Sequence, residues 1–366
     1  MDQVNQLAHL VTRQYGLEAQ ETCSSTNDYD GKMGLRIAAI FVIWFGSTMG
    51  ACFPIFAHRH KGVGIPSWAF FVAKFFGSGV IIATAFIHLL TPAEEALRNP
   101  CLTGPITEYD WVSGIILMTI FLMFIIELMV MRQTHGVVAS THAHGLAAPV
   151  AADSGDDAEV SGKYKDVESP PRLSAHQPGV DHLGHHGSHN SITQANDLHS
   201  FEDYKSQLTA IFILEFGIIF HSIFIGLTLA VAGQEFVTLF IVLTFHQTFE
   251  GLGLGSRLAL APWPANKRWT AYILGIAYGL STPLAIAVGL GVRETYPPGS
   301  RTTLIVNGVF DSISAGILIY TGLVELMAHE FMFSRTMLRA PMKTVGGAVG
   351  FMCLGAGLMA LLGKWA

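Results

Sequence analysis

The stretch LTAIFILEFGIIFHSIFIGLTLAVA, residues 208–232, decides the fold. It is apolar apart from Thr209, Glu215, His221, Ser222 and Thr228. A bilayer core about 30 Å thick is crossed by roughly 20 apolar residues in an α-helix, so this run reads as a membrane span. Glu215 and His221 then need a reason, because an ionisable side chain at mid-bilayer costs roughly 3 kcal/mol or more and faces protein or a polar path rather than lipid.

Outward from this run, seven more of the same kind lie at 33–58, 66–90, 111–131, 236–258, 270–292, 303–328 and 345–365. The expected class is all-α: a polytopic membrane protein with eight transmembrane helices. Composition agrees, since 51% of the residues are hydrophobic and only 13% charged, against about a quarter charged in soluble domains. The formal net charge of -6 leaves no basic footprint for nucleic acid. A mostly polar tail precedes the first run, which is itself too long for the core of a cleavable signal.

Basic residues beside spans set orientation, because loops rich in Lys and Arg stay in the cytosol. One set of connections carries Arg59, Lys61, Arg132, Lys205, Arg257, Lys267, Arg268, Arg335, Arg339 and Lys343; the other carries Lys32, Arg98, Arg293, Arg301 and Lys364. Both termini are therefore expected outside. The plasma membrane is the expected location, with another cellular membrane as the alternative. The chain divides into an extracellular tail (1–32), helices one to three (33–132), a cytosolic linker (133–206) and helices four to eight (207–366).

The linker is rich in Ala, Gly, Ser, Asp, Pro and His without apolar periodicity, which reads as disorder. Its His182, His185, His186 and His189 lie close enough in sequence to wrap one Zn²⁺, or belong to a low-complexity tract without a role. Cys52 and Cys353 fall inside spans and read as packing residues. Cys23 and Cys101 fall on the oxidising side, where a disulfide between them would tie the tail to the loop after the second span.

Polar residues inside the spans carry the chemistry. His246 and Glu250 are four apart and share one helix face. His221 lies at matching depth in the preceding span, and the short connection makes the two helices antiparallel neighbours. Two imidazoles and a carboxylate suit Zn²⁺ or Fe²⁺, whereas any one of these histidines alone would read as a hydrogen-bonded packing residue. Lys74 and Glu215 sit equally deep from the cytosolic side and are expected to pair as a structural or gating salt bridge. His88, followed by Glu94 and Glu95, reads as an entrance funnel or as a solvated helix end. Asn307 and Asp311 toward the outside, and Glu325, His329 and Glu330 toward the cytosol, read as entry and exit steps or as helix-end polarity. Pro283 is expected to kink the sixth span. The run Gly251-Leu-Gly-Leu-Gly255 follows no strand and reads as helix packing, not a nucleotide loop.

The segments Gly77 to His88, His221 to Gly226, His246 to Gly251, Ser281-Thr282-Pro283-Leu284 and Ser314 to Tyr320 together resemble the ZIP family of Zrt- and Irt-like zinc and iron transporters, and most of all its fungal members. The resemblance implies eight helices, outside termini, a His-rich cytosolic loop, import toward the cytosol and a metal site between helices four and five. It also implies that His221, His246 and Glu250 are primary ligands, with Ser222 and Gln247 as neighbours on the pathway. Some members carry an acid four residues after the fourth-helix histidine and another beside the fifth-helix histidine. Here those positions are Ile225 and Gln247, which implies one principal ion rather than a metal pair.

The expected function is import of Zn²⁺, with Fe²⁺ or Mn²⁺ as alternative cargo, and no catalytic cofactor. A membrane metalloenzyme would need His-Glu-x-x-His or His boxes at helix ends, which the chain lacks. A metal-sensing receptor would need only the linker. Expected partners are divalent metal ions and the bilayer, with a homodimer and regulatory partners of the linker left open.

Overall fold

A computed structural model of the chain describes residues 23, 29–60, 62, 64–145, 189–293 and 297–365. Among them no strand is found, and eight helices are long and apolar enough to cross a membrane. These are α1 (Met33–Arg59), α2 (Ser67–Leu97), α3 (Trp111–Gly145), α4 (His189–Val231), α5 (Phe236–Leu260), α6 (Thr270–Val292), α7 (Arg301–Phe333) and α8 (Met342–Leu362). The helices match the apolar runs within a few residues, except where α2, α3 and α4 continue beyond them.

The chain forms two compact units, residues 1–129 with 206–366, and residues 130–205. The first holds the packed membrane helices. The second contains the far end of α3 and the beginning of α4, so 133–145 and 189–206, expected as disordered linker, are helical. Extending an existing helix avoids the cost of nucleation, which lets weakly apolar sequence continue a span. His182, His185 and His186 lie outside the described residues, and of His189 only the backbone is described.

In the first unit α1 lies along α5 and α6, while α2 lies against α5, α7 and α8. Lipid gives little hydrophobic force between helices, so close backbone approach at small residues must hold them. A methyl group on Gly77 of α2 would overlap Gly253 of α5, and one on Gly255 would overlap the backbone of Ala51 on α1. Gly79 of α2 and Gly355 of α8 meet each other's helices in the same way. Pro283 is accommodated within α6, which continues to Val292.

Arg36, fully buried in the first turn of α1, is an intramembrane charge that the reading of the spans passed over. Its guanidinium donates to Leu229 O at 3.2 Å, to Ala230 O at 3.0 Å and to Ala232 O. It also pairs with Asp30 at 2.9 Å and lies over the rings of Tyr29 and Phe236. The last carbonyls of α4 have no intrahelical donor, so Arg36 caps them and fastens the α4–α5 turn to α1. Cys23 and Cys101 are joined in a disulfide with Cα atoms 4.9 Å apart.

The expected Lys74–Glu215 bridge is not formed. Lys74 pairs with Glu330 of α7, and among the described residues neither oxygen of Glu215 has a hydrogen-bond partner. Equal depth is a one-dimensional criterion; the direction in which each helix turns its side chain decides who meets whom.

Candidate metal site

Within the eight long helices, among the described residues, two stretches depart from α-helical geometry, and both carry polar residues singled out above. Residues Thr84–Leu90 of α2 and Gly322–Phe333 of α7 are wound as π-helix, a wider turn that recurs at functional positions. The first contains His88, the second Glu325, His329 and Glu330.

His221, His246 and Glu250 converge as the sole group of its kind among the described residues, each offering a ligand atom within 4.8 Å of the others. All three are buried. His246 Nε2 approaches Glu250 Oε1 to 3.2 Å, without the angles of a hydrogen bond. Among the described residues, both ring nitrogens of His221, Nε2 of His246 and both oxygens of Glu250 lack hydrogen-bond partners. Buried polar atoms are normally satisfied. A nest of unsatisfied polar atoms, two imidazoles and a carboxylate, matches the ligand set of a borderline-soft divalent ion.

Around this trio the second layer is ordered by hydrogen bonds. Gln247 Nε2 donates to Thr282 Oγ1 on α6 at 2.8 Å and to Ser222 Oγ on α4 at 3.3 Å. The Tyr278 hydroxyl donates to the backbone oxygen of Gln247 at 2.5 Å. Gly226 permits the approach that makes this linkage: a Cβ there would lie 2.7 Å from Thr282 O. Ser222 and Gln247 thus brace α4, α5 and α6 about the trio; Thr282 belongs to the Ser281–Leu284 segment noted above, and Tyr278 is a member that motif reading did not single out. Supporting groups of this kind fix ligand orientation.

His88 differs from its expected place. Its ring stands edge-on to His246 with centroids 4.7 Å apart, and Nε2 lies 3.2 Å from Met359 O of α8. It is buried rather than a solvated helix end, and from within the π turn it stands beside the trio. A cavity of about 260 Å³ is lined by His88, His221 and His246 together with Glu95, Asn307 and Asp311. Glu95 is exposed, so the cavity reaches the surface at that end. Glu94 lines a different hollow with Arg98, Tyr109 and Asp110. Glu325, His329 and Glu330 line a second cavity of about 230 Å³ with Lys74 and Arg257. The two cavities share no lining residue. Arg257, counted above with the loops, belongs to α5 two turns beyond Glu250.

Comparison with known proteins agrees with this arrangement. The family model described as ZIP zinc transporter matches residues 33–363. "Zinc-regulated transporter 2" of Saccharomyces cerevisiae is 44% identical, over 95% of this chain and 98% of the relative. "Zinc-regulated transporter 1" of Schizosaccharomyces pombe is 40% identical, over 99% and 93%. "Zinc transporter 5" of Oryza sativa subsp. japonica is 31% identical, over 95% and 93%. Matched along nearly its whole membrane region, the chain belongs to the ZIP zinc transporter family.

Proposed function

We propose that this protein imports Zn²⁺ into the cytosol, taking it from the Glu95 side of the bundle through the His221, His246 and Glu250 site to the cavity at Glu325, His329 and Glu330. The observation that carries the reading is the buried trio, with its unpartnered donor atoms, lying beside one cavity and two turns from the other.

In this reading Asp311, Asn307 and Glu95 collect the hydrated ion, and His88 meets it as it sheds water. His221, His246 and Glu250 then replace the lost oxygens. Neutral imidazoles bind without adding charge, so a single carboxylate leaves the occupied site with a net positive charge and the ion free to move on. Gln247 and Ile225, where a second acid would stand, restrict the site to one principal ion. Ligand nitrogens must be deprotonated, so acid competes with the metal. Fe²⁺ and Mn²⁺ are the alternative cargoes on the same donors.

We place both termini outside on the distribution of Lys and Arg, and take the plasma membrane as the location. A second copy of the chain and regulatory partners for the linker remain part of the proposal. Transport, not catalysis, is the role, as in the relatives named as transporters.

Uptake of radiolabelled zinc into proteoliposomes tests the reading. The unmutated protein should take up zinc and Glu250→Ala should not; equal uptake by the two would refute the site.

A further inference from the structure

The cavity assigned to metal exit holds cations of its own. Glu325, Glu330 and His329 share its walls with Lys74 of α2 and Arg257 of α5. With His329 neutral, the formal charges of the other four side chains cancel. Lys74 spans from α2 to the π-helical part of α7 and pairs with Glu330. Arg257 donates to Ser78 Oγ at 2.6 Å, and Ser78 Oγ donates to Lys74 O at 2.8 Å. Both cations are thereby set against one face of α2.

The Lys74–Glu330 pair is partly buried, its side chains retaining 23% and 19% of their exposure. An ion arriving at Glu330 from Glu250 must take the place of the ammonium, because two cations in contact with one carboxylate repel strongly in such a confined space. A lysine suits this exchange: it is a compact charge on a flexible four-carbon stem that swings away without unfolding a helix.

We propose that Lys74 is a tethered competitor for the transported ion, occupying Glu330 between transport events and reclaiming it afterwards, so that zinc cannot remain in the exit cavity. Lys74 is then a release-determining residue of the transport cycle and touches no ion at the principal site. The inference rests on the exit path proposed above.

Equilibrium dialysis of ⁶⁵Zn²⁺ against the purified full-length chain, in a Glu250→Ala background that removes the principal site, tests it apart from transport. Adding Lys74→Gln should create one zinc site per chain, at least tenfold tighter than any in the parent, and adding Glu330→Gln should remove it. Lys74→Arg should behave as the parent. Lys74→Met gives a second neutral variant, and unfolding temperatures show which chains are folded. No gain of zinc in folded Lys74→Gln or Lys74→Met, or a gain that survives Glu330→Gln, would overturn the proposal. Failure of the exit path itself has another signature: Glu325→Gln and Glu330→Gln, with Lys74 intact, would leave uptake into proteoliposomes unchanged.

Discussion

A buried carboxylate beside two imidazoles, with its oxygens unpartnered among the described residues, is expensive until a cation reaches it, and Glu250 is in that condition. Zinc should therefore stabilise the folded chain through this residue. At a zinc concentration about one hundred times the dissociation constant, the unfolding free energy should rise by about 2.7 kcal/mol. Thermal unfolding in detergent, with zinc against a chelator, measures it; Glu250→Ala or His246→Ala should abolish the rise. His88→Ala should weaken zinc binding without removing it, roughly tenfold, since His88 flanks the trio. An unaltered affinity in that variant would return His88 to a packing role. Arg36 offers a purely structural contrast. Arg36→Ala leaves Leu229 O and Ala230 O without their donor and should cost about 2–4 kcal/mol of stability, read from the same unfolding curves. At this scale the trio was legible in the sequence, because period and depth suffice when two helices are joined by a short turn. Lys74 and Glu215 were not, because depth leaves the azimuth of each helix open.

Helices as units explain which parts of the arrangement could be read in advance. Eight apolar runs of about 20 residues identify eight spans, since hydrocarbon thickness admits little else. The π-helical turns in α2 and α7 leave no such trace, because hydrophobic length is indifferent to whether a span gains or loses a residue per turn. Yet the π turn at Thr84–Leu90 is what sets His88 against His246. Deleting Phe86, which is exposed to the surroundings of the bundle, should restore α-helical winding at this turn and displace His88 from its place against His246. Zinc uptake should fall sharply while circular dichroism stays helical. Packing is likewise exacting where α2 meets α5. Gly77→Val puts a branched side chain where a Cβ alone already overlaps the backbone of Gly253, and should cost about 1–3 kcal/mol, with loss of uptake from forcing the two helices apart. Gly347→Val, on α8 with nothing within 4 Å of an added Cβ, should leave both stability and uptake unchanged.

For the molecule as a whole, the direction of transport depends on which end of the bundle faces the cell exterior. In the orientation proposed above from the distribution of Lys and Arg, the tail before α1 and the loop between α2 and α3 lie outside. The disulfide between Cys23 and Cys101 is an independent mark on those same two segments, since such bonds persist in oxidising surroundings. Glu95, at the mouth of the first cavity, lies six residues before Cys101, so the proposed entrance is on the disulfide side. Lys74 and Glu330 then face the cytosol. This arrangement predicts a labelling pattern on intact cells. After an impermeant reductant, an impermeant maleimide should modify Cys23 and Cys101, and it should modify neither before reduction. A cysteine placed at Arg339, in the turn before α8, should react only after permeabilisation. Labelling of the Arg339→Cys site from outside, or protection of Cys23 and Cys101 after reduction, would invert the orientation and make the same metal path an exporter.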